Sequence, residues 1–153
     1  MTEEQKKLLL IDLSGRLPYG VYGNYLNSDG SLSDDELLRR VKIGYHQLIC
    51  ADGRDGMVLD GSLKPYLFPL SSMTEEQIEK LKEELCNMYD PYHDYDSYEN
   101  WGVEVFEKHI HSDNYKFTFT VDVVDWLNKN HFDYRGLIEK SLALDATNLG
   151  IYE

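Results

Sequence analysis

His131 and Asp133, flanking Phe132 and followed by Tyr134 and Arg135, form the densest run of reactive side-chain types in this chain. A histidine beside a carboxylate is the smallest acid–base unit, and read as chemistry it points to a hydrolase with His131 as the base. No serine, cysteine or second carboxylate is tied to it by a recognisable spacing. The reading preferred from sequence is therefore structural, with Asp133 capping a helix and the charged side chains forming a surface ion pair. His109 and His111 offer a second route, because residues two apart on a strand share a face and two imidazoles there can share a metal. Two ligands beside a loop do not make a site, and surface histidines are the simpler account.

The third candidate is a surface. Residues 90–100 read DPYHDYDSYEN, acidic and aromatic together. A calcium loop needs a glycine at its sixth position and a glutamate at its twelfth, and neither stands in register here. A solvated loop results, in which Tyr92, Asp94, Tyr95, Asp96, Tyr98 and Glu99 are the residues best suited to a basic protein partner. The Asp52-Gly53 and Asp55-Gly56 pairs lack both the Gly-Lys-Ser/Thr ending and the G-x-G-x-x-G spacing of phosphate loops, so they read as turns. No cofactor or metal is expected from these motifs.

Bulk charge narrows the function classes. With 15 basic and 28 acidic residues the formal charge is −13, which disfavours direct binding to nucleic acid or an anionic membrane. An acidic face that mimics nucleic acid and blocks a basic cleft on another protein is the sharper alternative. Twelve tyrosines suit protein interfaces. Cys50 and Cys86 show no disulfide or zinc spacing and fit a reducing cytoplasm. No apolar run approaches the roughly 20 residues of a membrane span, and Thr2, Glu3 and Glu4 stand where a signal peptide would be basic.

The elements that must position these residues follow from capping and periodicity. Thr2-Glu3-Glu4-Gln5 is a capping box that starts a helix over 3–14, buried through Leu9, Leu10, Leu13 and Leu17 and widened by Leu8 and Ile11. Gly15 and Pro18 are expected to end it, Pro18 also pushing Leu17 off helical dihedrals. One short strand is expected in 19–31. Ser33 to Glu36 caps a short helix over about 34–40, followed by a strand over about 41–50 that pairs with Met57–Leu59. Two prolines hold Lys64–Leu70 extended as an edge strand or connector. Thr74-Glu75-Glu76-Gln77 repeats the capping box, with Met73 and Ile78 as a hydrophobic staple, an Ile78, Leu81, Leu85, Met88 seam and a Glu76–Lys80 pair. Strands are expected around Val103–Val105 and over Tyr115–Val121.

The segment Asp122–Asp145 reads as a helical corner. Val123, Trp126 and Leu127 share a face of a first helix that runs out at Asn128-Lys129-Asn130. Asp133 then caps a second helix carrying Tyr134, Leu137, Ile138 and Leu142, with Gly136 allowing Trp126 or another backbone to approach closely. Trp126 and Phe132 anchor the corner.

Three segments, MTEEQKKLLLIDLSGRLPYGV, KPYLFPLSSMTEEQ and DWLNKNHFDYRGLIEKSLAL, resemble a family of small uncharacterised proteins found in gut-bacterial genomes and their phages and mobile elements. The resemblance covers about a third of the chain. It implies a bacterial or phage cytosolic accessory protein and carries over no activity or catalytic residue.

The expected architecture is α+β, a single domain over 1–153, with a small, mostly antiparallel sheet packed with N-terminal, central and C-terminal helices. The expected function is non-enzymatic: a cytoplasmic protein that binds another protein through an acidic, tyrosine-rich surface.

Overall fold

The structure is a computed structural model that describes residues 1–27, 29, 31–32, 39–44, 47–50, 61–86 and 121–152, with backbone alone at 39–44, 47–50 and 84–86. It is α+β. Helices α1 (Glu3–Arg16), α2 (Glu75–Cys86) and α3 (Val121–Lys129) accompany strands β1 (Tyr22–Tyr25), β2 (Arg39–Gly44), β3 (Gln47–Cys50), β4 (Leu63–Leu67) and β5 (Leu144–Asp145). The strands form one sheet in the order β3-β2-β1-β4-β5, antiparallel throughout except for the β4–β5 pair.

Both capping boxes form. In α1 the Gln5 amide donates to Thr2 Oγ1 at 3.2 Å and the Thr2 amide to Gln5 Oε1 at 2.8 Å. In α2 the Gln77 amide donates to Thr74 Oγ1 at 3.3 Å and the Thr74 amide to Gln77 Oε1 at 2.8 Å. Each box satisfies two amides that the first helical turn leaves without partners. The staple forms as well, since Met73 is buried and Ile78 packs on the same cluster. Lys80 Nζ lies 2.6 Å from Glu76 Oε1 on the exposed face of α2.

The buried face of α1 differs from the expected one. Leu9, Asp12, Leu13 and Arg16 are buried, whereas Leu10 and Ile11 are 43% and 49% exposed. Gly15 does not end the helix but lies inside it, where a Cβ would meet Asn128 Nδ2 of α3 at 2.6 Å. Its role is close approach between helices. Leu17 also keeps right-handed helical dihedrals despite preceding proline. Pro18 fits because a 3-10 turn over Leu17–Tyr19 begins there, where the missing amide proton has no partner to lose, and Gly20 at φ +79° closes the turn.

Residues 39 and 40, expected at the end of a helix, belong to β2; the expected single strand over 41–50 is two antiparallel strands, with Val41 opposite Cys50 and Gly44 opposite Gln47. Alternating apolar residues specify strand but not where it reverses. The remainder of the expected 34–40 helix, the Met57–Leu59 strand and the Val103–Val105 strand lie outside the described residues. Val121, expected to end a strand, instead opens α3 and is 82% exposed.

β4 is an interior strand, not an edge. Its register with β1 explains how it tolerates Pro65. Gly23 faces Pro65 and Asn24 faces Lys64, while the Leu26 amide donates to the Ser62 carbonyl at 2.8 Å. Directly bonded pairs therefore fall at even positions of β1, and Pro65 occupies a non-bonded pair whose amide side faces away from β1. On that other side β5 starts only opposite Tyr66. Gly23 is required in this close pair, because a Cβ would come within 2.7 Å of the Lys64 carbonyl oxygen.

Among the described residues two apolar clusters are buried. Leu9, Leu13, Val21, Leu63, Leu67, Leu137, Leu142 and Ala143 pack between α1 and the sheet. Leu70, Met73, Leu81, Val123, Leu127, Phe132 and Tyr134 pack α2 and α3 against the corner.

The corner is built differently from the expected helix pair. After α3, residues 134–141 form consecutive turns and then β5, with no second helix. Asp133 does cap, but its Oδ1 accepts from the Leu137 amide at 2.8 Å and its Oδ2 from the Ile138 amide at 2.7 Å. Bonding that far along folds the chain around the carboxylate instead of starting a regular spiral. Gly136 at φ +65° and Ser141 at φ +56° complete the departure from helical geometry. Gly136 is therefore favoured here for its backbone conformation.

Candidate functional site

Three segments meet at the corner through polar groups buried in the interior. Arg16 is fully buried; its Nε lies 2.6 Å from Asp12 Oδ2, one Nη donates to Asp12 Oδ1 at 3.0 Å and to the Phe132 carbonyl at 2.7 Å. One helical turn separates the two residues, so the pair is preset by α1 and then clamps the corner. The other Nη of Arg16 is buried without a hydrogen-bond partner among the described residues. Arg135, expected to make a surface ion pair, instead approaches this buried carboxylate, with Nε 3.4 Å from Asp12 Oδ1 and its guanidinium 4.8 Å above the Tyr134 ring.

Beside this joint His131 lies at φ +59°, a rare conformation for a residue with a side chain. Surrounding structure over-determines it. The His131 carbonyl accepts from the Phe68 amide at 2.9 Å and the Asp133 amide donates to the Phe68 carbonyl at 2.8 Å, which ties the corner to the end of β4. Phe132, between them, stacks on Trp126 with ring centres 5.8 Å apart, as the expected anchor pair.

The His131 ring lies flat on Tyr152, centres 3.7 Å apart and planes 13° from parallel. Only 5% of His131 is exposed, and its Nδ1 has no hydrogen-bond partner among the described residues. Burial, and secondarily the Arg16 charge, push the imidazole down to about 4, so it is neutral at pH 7. Among the described residues no carboxylate is hydrogen-bonded to His131, and both oxygens of Asp133 are used by the turn.

Tyr152 is the least foreseeable member. Its hydroxyl donates to the Tyr66 carbonyl at 2.7 Å and accepts from the Tyr22 amide at 3.2 Å. Continuing the β1–β4 register places Tyr22 opposite Tyr66 as the next directly bonded pair. The phenol therefore stands in for a ladder hydrogen bond at the point where the two strands part. Burial pushes the phenol up to about 12, which keeps the hydroxyl a donor.

The opening created there is a cleft of about 590 Å³ with Tyr19, Tyr22, Phe68, Lys129, His131 and Tyr152 among its lining residues. Tyr19 is held at its rim by a 2.5 Å hydrogen bond from its hydroxyl to Asp125 Oδ1 of α3, which raises the phenol above its ordinary value.

Of the residues singled out from sequence, the structure places His131 in this cleft and Asp133 in the turn behind it. His109, His111, Tyr92, Asp94, Tyr95, Asp96, Tyr98 and Glu99 lie outside the described residues. Asp12, Arg16, Tyr22 and Tyr152 were not anticipated. For the first two a signal exists, an oppositely charged i,i+4 pair interleaved with Leu9 and Leu13. Tyr152 carries no local signal, because its partners are about 86 and 130 positions away in sequence.

Among the described residues no cluster of three or more His, Cys, Asp or Glu side chains is arranged to hold a metal ion, and no helix is long and apolar enough to cross a membrane. Comparison with known proteins gives no matching family model, no matching curated protein and no matching solved structure.

Proposed function

We propose that this is a non-enzymatic binding protein of the cytoplasm that engages another protein through its acidic, tyrosine-bearing surface, with the cleft at Tyr19, Tyr22, Phe68, His131 and Tyr152 as part of the contact. The observation that carries the reading is the convergence of five rings from four separate segments on one open cleft. Tyrosine rings supply large contact area together with a polar tip, the combination enriched in protein interfaces. The formal charge of −13 favours a basic partner and faster association at low salt. A bacterial or phage accessory role, as the sequence resemblance implies, fits this reading.

His131 as a hydrolase base has less behind it, since its imidazole is buried and neutral and the neighbouring Asp133 carboxylate is committed to the turn and does not orient it. Pull-downs from a bacterial lysate at low salt, run with the wild-type protein and with Tyr19→Ala, test the proposal. Capture of a basic protein that Tyr19→Ala weakens supports it. Turnover of an ester or peptide substrate that His131→Ala abolishes, with no protein captured, would end it.

A further inference from the structure

The environment of Tyr152 is a complete recognition site for a phenol. One face of the ring is covered by His131, and Phe68 and Tyr22 meet it with centres 5.7 Å away at steep angles. The hydroxyl is read twice, by the Tyr66 carbonyl as acceptor and by the Tyr22 amide as donor. A phenylalanine ring would fit the walls but leave both part-buried backbone groups to pair with water alone, so the slot favours tyrosine.

Past Ala146, whose amide donates to the Leu67 carbonyl at 2.8 Å, the segment that delivers Tyr152 is held by few backbone hydrogen bonds among the described residues. Among the described residues, the backbone from Thr147 to Tyr152 donates only to Asp145 Oδ1 at 2.7 Å and to the Ala146 carbonyl at 3.2 Å, both within the same stretch of chain. Asn148 at φ +64° and Gly150 at φ +59° bend it, and Asn148, Leu149 and Gly150 are exposed. A strap held to the sheet mainly by one ring can open without unfolding what lies beneath it.

We propose that the slot is a recognition site for a tyrosine side chain presented by a partner protein, and that Tyr152 occupies it in cis as a displaceable strap. This deepens, and rests on, the protein-binding reading. The incoming ring takes the place of Tyr152 against His131 and inherits both hydrogen bonds to the parting strands. Affinity for the partner is then set by competition with the strap, so weakening the strap strengthens binding.

The test uses the full chain and N-acetyl-tyrosinamide as probe, with N-acetyl-phenylalaninamide as control, followed by NMR shifts of the Phe68 and His131 rings. Tyr152→Ala is expected to bind the tyrosine probe at least tenfold more tightly than the wild type and about tenfold more tightly than the phenylalanine control. A folded Tyr152→Ala that binds neither probe, or both equally, overturns the proposal. Should that variant not fold, amide exchange in the wild type decides. A Tyr22 amide exchanging at least a hundredfold faster than the Leu26 amide of the same ladder supports an opening strap, and equal protection overturns it. A slot that binds the probe while lysate pull-downs return no protein would remove the protein-binding reading and leave the site intact.

Discussion

The Asp12–Arg16 joint and the His131–Tyr152 slot are neighbouring buried polar groups that solve the same problem in opposite ways. In the joint, charge is taken out of water and compensated by charge: two Arg16–Asp12 contacts at 2.6 and 3.0 Å and a further hydrogen bond to the Phe132 carbonyl. In the slot, charge is avoided altogether, with a neutral imidazole lying on a neutral phenol. Breaking the first strands an ion in the interior; opening the second exposes two rings and two backbone groups that water can satisfy. The joint therefore fixes the architecture, and the slot is where the molecule can change partners.

The contrast is broken most directly at Asp12. Asp12→Ala leaves a buried guanidinium without its carboxylate and is expected to cost about 3–5 kcal/mol in denaturant unfolding. Replacing both charges together, Asp12→Leu with Arg16→Met, should recover a good part of that loss, since among the described residues the only cation left beside the site, Arg135, is partly exposed and can reach water. Were the double variant as unstable as Asp12→Ala, the penalty would come from packing and not from stranded charge.

Tyr152→Phe probes the slot at smaller scale. It keeps the ring and removes the bridge between Tyr22 and Tyr66, for an expected loss of about 1 kcal/mol, because the freed backbone groups are only part-buried and can reach water. A loss as large as that of Asp12→Ala would make the strap a structural element and erase the difference between the two regions. Thr74→Ala sits outside both, removing half of a capping box for about 1 kcal/mol or less. Smallest of all, Glu76→Gln dissolves an exposed pair and should leave the unfolding midpoint unchanged.

How much of this was legible in the sequence differs between the same two regions. Helix starts at Thr2 and Thr74 are local events, settled by a hydroxyl and an amide three residues apart, and both were readable. The anchor role of Trp126 was readable from helical periodicity, and that of Phe132 from a large apolar side chain standing at the corner. The buried face of α1 was misplaced because apolarity alone favours Leu10 and Ile11 over Asp12 and Arg16, and only the corner's demand for a donor to the Phe132 carbonyl reverses that order. Asp133 was recognised as a cap, yet capping five residues ahead makes a turn where a helix was expected. His131 was picked out for its neighbour Asp133 and belongs instead with Tyr152, a partner chosen by sheet register and invisible to spacing.

The most direct test of the account is the titration of His131, followed by the NMR shifts of its ring protons in the folded protein. Burial against Tyr152 predicts a midpoint near 4, down from the ordinary 6.5. Because the folded form then binds fewer protons than the unfolded form between those values, stability is full above about pH 6.5 and falls as the pH is lowered towards 4, and the wild-type unfolding temperature should drop across that window more than that of His131→Asn. A midpoint at or above 6.5, with no difference between the two proteins in acid, would place the imidazole in water and contradict the stacked, neutral slot on which the binding account is built.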